Sequence, residues 1–150
     1  MPREDIERAR HGYSLLNDAY RRADVDVFRP VLEEYWDPDV VFVPAGVLPE
    51  SDPVKGWDGM LEFTANQMQA FEDGSMWLEP LEYIDAGDRL IVPYRFGGRA
   101  RSTGIPVEFS LVHVFTQRRG KTVRVDVYRS RDEALSDLGL SPADVRSERA

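Results

Sequence analysis

Two long alternating runs constrain this chain more than any other feature. Residues 105 to 116 include "FSLVHVFT" at Phe109 to Thr116, and residues 121 to 129 read "KTVRVDVYR". Successive side chains of a strand point to opposite faces, so each run splits into two rows. Between them stands "QRRGK", Gln117 to Lys121. It suits a three-residue loop, Arg118-Arg119-Gly120, with a left-handed glycine that makes a bulge. Gln117 then pairs with Lys121, Phe115 with Val123, His113 with Val125 and Leu111 with Val127. One face carries Phe109, Leu111, His113, Phe115, Val123, Val125 and Val127. The other carries Val112, Val114, Arg124, Asp126 and Tyr128. The first face is the more apolar and is expected to turn inward, with His113 inside and Asp126 outside. A two-residue turn would shift the register by one and exchange the faces.

Helical spacing dominates the first half. Ile6, Ala9, Tyr13, Leu16, Tyr20 and Ala23 form one apolar face, which predicts a helix over residues 3 to 23. Asp24 or Asp26 caps a second helix with Val27, Phe28, Val31, Leu32 and Tyr35 on its apolar face. Pro30 belongs near its first turn or kinks it. "DPD" at 37 to 39 stops it, because the residue before proline avoids helical geometry. "VVFV" at 40 to 43 reads as a strand, and residues 44 to 56, with three prolines and two glycines, as a loop. Trp57, Met60, Leu61, Thr64, Met68 and Phe71 mark a third helix that Gly74 can end. Strands follow at 76 to 84 and 89 to 97 around the turn "DAGD". The glycine-containing segment 97 to 104 is a turn or a bulged continuation. "SRDE" from Ser130 is a capping box opening a short helix that Gly139 stops. Helices first and an antiparallel sheet second make a single α+β domain of residues 1 to 150, with a sheet that curves around the helices.

Composition removes several function classes. The formal net charge of -8 repels phosphate backbones, so no nucleic-acid partner is expected. "RRGK" at Arg118 to Lys121 reads as a solvated hairpin tip. The chain has no cysteine, which excludes disulfides and sulfur-ligated zinc. His11 and His113 are its two histidines, too few for a histidine metal site, and no cofactor is expected. No membrane-length apolar run occurs, and "MPREDIERAR" lacks the apolar stretch of a signal peptide, so the reading expects a cytoplasmic protein.

The order of these pieces resembles the nuclear transport factor 2-like superfamily, in its SnoaL-like and ketosteroid-isomerase-like branch. The resemblance covers residues 5 to 140. Its carriers are "NDAYRRADVDVFRPVLEEYWDPDVVFVP", "KGWDGMLEF", "EYIDAGDRLIV" and "HVFTQRRGKTVRVDVYRSRDEALSDLGL". It implies a cone-shaped curved antiparallel sheet packed on three N-terminal helices, with a short C-terminal helix, an apolar small-molecule pocket and commonly a homodimer.

The family does not fix the chemistry. Ketosteroid isomerases place a carboxylate base at the end of the first strand, before a proline; here Val43 stands there and cannot take a proton. Their oxyanion donor on the penultimate strand corresponds to His113 if the registers match. The tryptophan-aspartate pattern of the cyclases is missing from "VDVYRSRDE". Arg95, Arg124 and Asp126 have the chemistry of the limonene-type epoxide hydrolases but do not assemble their motif. The scytalone-type dehydratases use a histidine on this strand with tyrosines that orient water. His113 matches that histidine's setting and Tyr20 lies near where a tyrosine is needed, while their second histidine has no counterpart. His113 and Tyr20 are therefore the candidate catalytic residues. Expected pocket residues are Tyr13, Trp36, Phe42, Trp57, Phe63, Met68, Tyr94, Leu111 and Val125. Two readings stay open. One is a cofactor-independent isomerase, cyclase or dehydratase acting on an apolar cyclic substrate, with His113 in proton transfer. The other is a non-catalytic small-molecule binding domain.

Overall fold

The structure is a computed structural model that describes residues 2–44 and 52–150. The first helix, α1, runs Pro2–Arg22. Asp24 caps a 3-10 turn, Val25–Phe28, by accepting from the Asp26 amide at 3.1 Å. That turn leads directly into α2, Arg29–Tyr35, with Pro30 in its first turn, where a proline costs no helical hydrogen bond. Strand β1 begins at once and spans Trp36–Val43, four residues earlier than the apolar run suggested. Its "DPD" portion lies beyond the regular pairing, which is irregular between Trp36 and Val41. The loop expected over 44 to 56 falls in part outside the described residues; its far end holds β2, Val54–Lys55. Helix α3 is Gly56–Gln69. It stops at Ala70, not Gly74, which lies further on with φ of 77°.

The single strand expected at 76 to 84 is two, β3 Trp77–Pro80 and β4 Glu82–Ala86. Both pair with β5, Arg89–Arg99, one after the other, and Leu81 marks the break. Gly97 in β5 marks a close backbone approach, since a Cβ there would collide with the Val107 carbonyl oxygen. Strands β6, Pro106–Arg118, and β7, Lys121–Tyr128, complete the long hairpin. Helix α4 is Arg131–Asp137, capped by Ser130, whose side chain accepts from the Glu133 amide at 3.1 Å. A last strand, β8, Arg146–Arg149, pairs antiparallel with β4. Its polar sequence carries no alternating signal, so sequence patterning does not find it.

The eight strands form one curved, unclosed sheet in the order β2-β1-β7-β6-β5-β4-β8, with β3 beside β5. The expected all-antiparallel sheet needs one correction: β1 runs parallel to β7. Helices α1 and α2 precede β1 and most of the chain lies between it and β7, so β1 joins β7 from the helical layer and not through a hairpin. The main core lies on the concave side and includes Ile6, Tyr20, Phe28, Leu32, Leu61 and Val92. A second, smaller core lies on the convex side, where Ala134 and Leu135 of α4 pack on Ile84, Ile91, Val112 and Val114. Among the described residues no helix is long and apolar enough to cross a membrane.

The hairpin register differs from the expected one. Phe109, Leu111, His113, Phe115, Val125 and Val127 keep the inner face, but Thr122 takes the place expected for Val123. The turn is two residues, Arg119 and Gly120, with φ of 53° and 75°, and Arg118 pairs with Lys121. A register shift then follows at Thr116 and Gln117, leaving Val123 outside the pairing. Phe115 therefore pairs with Val125 and His113 with Val127. The short turn moves the register one way, and the extra residue on β7 restores the original facing.

Candidate functional site

A cavity of about 360 Å³ lies between the concave sheet face and the helices. Inward residues of β6 line it at every second position, Phe109, Leu111, His113, Phe115 and Gln117. Helix α1 follows the same wall from Asp5 through Gly12 and Tyr13 to Tyr20.

His113 sits midway along β6 between Val92 and Val127 on the neighbouring strands. The Tyr94 ring, diagonal to it on β5, stacks on the imidazole with centroids 4.0 Å apart. Phe115 and Phe42 meet it edge-on at 5.6 and 6.3 Å. The Nδ1 atom shares a hydrogen bond of 2.8 Å with the Tyr13 hydroxyl. In one tautomer Tyr13 donates to Nδ1 and Nε2 carries the proton; in the other Nδ1–H donates to Tyr13. Part of the His113 surface remains open, and the cavity is what it faces. Desolvation by this aromatic shell pushes the imidazole pKa down from 6.5 to about 3. Burial raises the phenols of Tyr13, Tyr20 and Tyr94 above their ordinary value. The middle of the cavity thus holds four polar rings, all uncharged near neutral pH.

Helix α1 is fixed against the sheet by Asn17. Its amide donates to the Tyr13 and Leu78 carbonyls at 3.0 and 2.8 Å and accepts from the Leu78 amide at 2.8 Å. These bonds set the height of Tyr13 opposite His113, a positioning role that the sequence pattern did not suggest.

Of the residues anticipated from sequence, His113, Tyr20, Tyr13, Trp36, Phe42, Phe63, Tyr94, Leu111 and Val125 all line the cavity. Trp57 and Met68 do not; they pack on the core from α3. Trp57 instead donates its indole N–H to the Trp36 carbonyl at 3.0 Å, which ties α3 to the start of β1. The faces of "VFV" decide the fate of the family's carboxylate position. Phe42 pairs with Val125 on the cavity side, whereas Val43 pairs with Asp126 on the outer side. Asp126 holds Arg124 in a bidentate pair at 2.9 and 3.0 Å there. Asp39 is exposed and closes a local turn, with its amide donating to the Asp37 carboxylate at 2.8 Å.

Asp5 is the one carboxylate among the described residues lining the cavity, and the apolar periodicity of α1 passes over it. Its signal was present, since Asp5, Ala9, Gly12 and Leu16 share a face at helical intervals. Its carboxylate pairs with Arg8 at 2.7 Å. Burial holds the Asp5 carboxyl above its ordinary pKa, partly offset by Arg8. No group of residues suited to holding a metal ion occurs among the described residues.

The family model of the SnoaL-like domain matches residues 15–125, and the chain belongs to that family. A search of curated proteins finds no match. Among solved structures, Bal32a from a soil-derived mobile gene cassette aligns with a TM-score of 0.70 at 17% identity, covering 90% of this chain and 95% of its own. TerC, crystallised with polyporic acid, aligns with a TM-score of 0.61 at 25% identity, covering 85% and 95%. An NTF2-like protein of unknown function from Burkholderia pseudomallei aligns with a TM-score of 0.65 at 22% identity, covering 89% and 95%. These likenesses agree with the cone fold and the superfamily inferred from the order of elements.

Proposed function

We propose that the chain is a small-molecule pocket protein that takes up an apolar cyclic molecule bearing a carbonyl or hydroxyl oxygen. The observation that carries this reading is the Tyr13–His113 hydrogen bond on the wall of a largely aromatic cavity. Apolar walls supply affinity, and a few polar groups fix orientation. The crystallisation of TerC with polyporic acid supports a small organic ligand. A homodimer belongs to the same reading.

The catalytic part of the proposal is an isomerase-, cyclase- or dehydratase-type reaction without a cofactor. A base whose conjugate acid has a pKa of about 3 draws protons weakly at neutral pH. His113 therefore serves best as a neutral hydrogen-bond donor to an oxygen on which negative charge develops. Tyr13 supports the tautomer, and Tyr20 is the further hydroxyl of the same wall. A proton-transfer role for His113 needs a bound ligand that raises its pKa.

The test is a panel of enolisable ketones, epoxides and hydroxyketones, followed by thermal shift and by product analysis. Melting shifts that disappear in His113→Gln, with Tyr13→Phe intermediate, support the pocket reading. Product formation lost in His113→Ala adds the catalytic reading. Absence of both shift and product across the panel removes the proposal.

A further inference from the structure

The cavity does not end at His113. On β6 the lining continues to Phe115 and Gln117, four residues and roughly 13 Å beyond the imidazole. On α1 it continues from Tyr13 back to Arg8 and Asp5. Thr122, beside Gln117 across the hairpin, completes that end. The lining of the opposite end, by contrast, is mainly aromatic, with Phe71, Phe96 and the half-exposed Phe109. One continuous space thus has an apolar mouth, a neutral polar middle and a second polar end.

Resting on the pocket reading above, we infer that Arg8, Asp5, Gln117 and Thr122 form a second polar subsite, which holds a neutral hydroxyl at the far end of an elongated ligand. Three observations fix this chemistry. The Arg8 guanidinium already faces Asp5 at 2.7 Å and Glu4 at 3.6 Å, so two carboxylates surround one cation and an anionic ligand is disfavoured. The Thr122 hydroxyl donates to the Gln117 side-chain oxygen at 3.2 Å. That leaves the Gln117 side-chain N–H groups without a protein acceptor among the described residues, while the Asp5 carboxylate lines the same cavity from α1 and offers an acceptor. A hydroxyl both donates and accepts, and so matches this pair. The lining runs along β6 from Phe109 to Gln117 around about 360 Å³, which suits an elongated ligand. Such a ligand has one oxygen at Tyr13–His113 and the second near Gln117.

Three probes of one shape test this: chalcone, 4-hydroxychalcone and 4-carboxychalcone, titrated into the full chain by calorimetry. The expected order is 4-hydroxychalcone at least tenfold tighter than chalcone, with the carboxylate weakest. Gln117→Leu and Thr122→Val should abolish the tenfold preference, read as the ratio of the two affinities within each variant. The Gln117 side-chain amide resonance should shift with 4-hydroxychalcone and not with chalcone. Equal binding of chalcone and 4-hydroxychalcone, lost in His113→Gln, would overturn the subsite and leave the pocket reading standing. No binding of any of the three would overturn both. A preference for 4-carboxychalcone would overturn the assignment of a neutral partner.

Discussion

At His113 a polar ring stands among aromatic ones, and its protonation is the first consequence. Its folded pKa of about 3 lies below the ordinary 6.5. As pH falls below ~6.5 the unfolded chain takes the proton first, so folding stability declines down to ~3, by up to ~1.4 kcal/mol per pH unit. Above ~6.5 the group adds no slope. Urea unfolding between pH 4 and 8 should show this decline, and His113→Gln should flatten it to whatever the carboxylates contribute. An identical slope in wild type and variant would mean that the imidazole is hydrated in the folded state. NMR should find the His113 ring neutral at pH 5. The face of His113 was legible from alternation alone. Its pKa was not, because the shift depends on Tyr94, Phe42 and Phe115, which approach from two other strands and its own.

Element by element, the clearest divergence between pattern and structure is the last hairpin. The sequence names a turn at "RRG" but does not count its residues. The fold uses a two-residue turn and leaves Val123 unpaired; Val125 and Val127 stay on the concave face, and Thr122 replaces Val123 there. Burying one face is a stronger demand than turn geometry, so the bulge absorbs the mismatch. The cost remains at Arg119, which is left-handed with φ of 53° in a turn that favours Asn-Gly. Arg119→Asn is expected to stabilise the chain by about 1 kcal/mol, read as a higher urea midpoint with an unchanged slope. A lower midpoint would show that the arginine side chain contributes more than its backbone strain costs. Strands β2 and β8 were illegible for a different reason. Each is short, and β8 is polar throughout, so its sheet pairing is carried by backbone hydrogen bonds that leave no hydrophobic period.

On the scale of the whole molecule, the sheet is a partition with different duties on its two sides. The concave side holds the cavity and its polar rings; the convex side holds a satellite core under α4. The same strands serve both, since His113 faces inward while Val112 and Val114, its neighbours in β6, face α4. Sequence reading located the inner row because apolar alternation marks it. It gave the outer row no packing partner, since Val112 and Val114 stand beside Arg124, Asp126 and Tyr128 in one mixed face. If the partition is rigid, damage on one side should not reach the other. Leu135→Ala removes a buried side chain of α4 and is expected to cost about 2–3 kcal/mol, at the low end for a core leucine because a surface helix can settle into the gap. The His113 ring shifts and the affinity for a cavity probe such as chalcone should stay at wild-type values, since well-separated sites act independently. Stability and probe affinity measured on the same Leu135→Ala sample decide the matter. A fall in affinity alongside stability would mean that β6 transmits packing strain through the sheet, and that α4 helps set the shape of the cavity it does not touch.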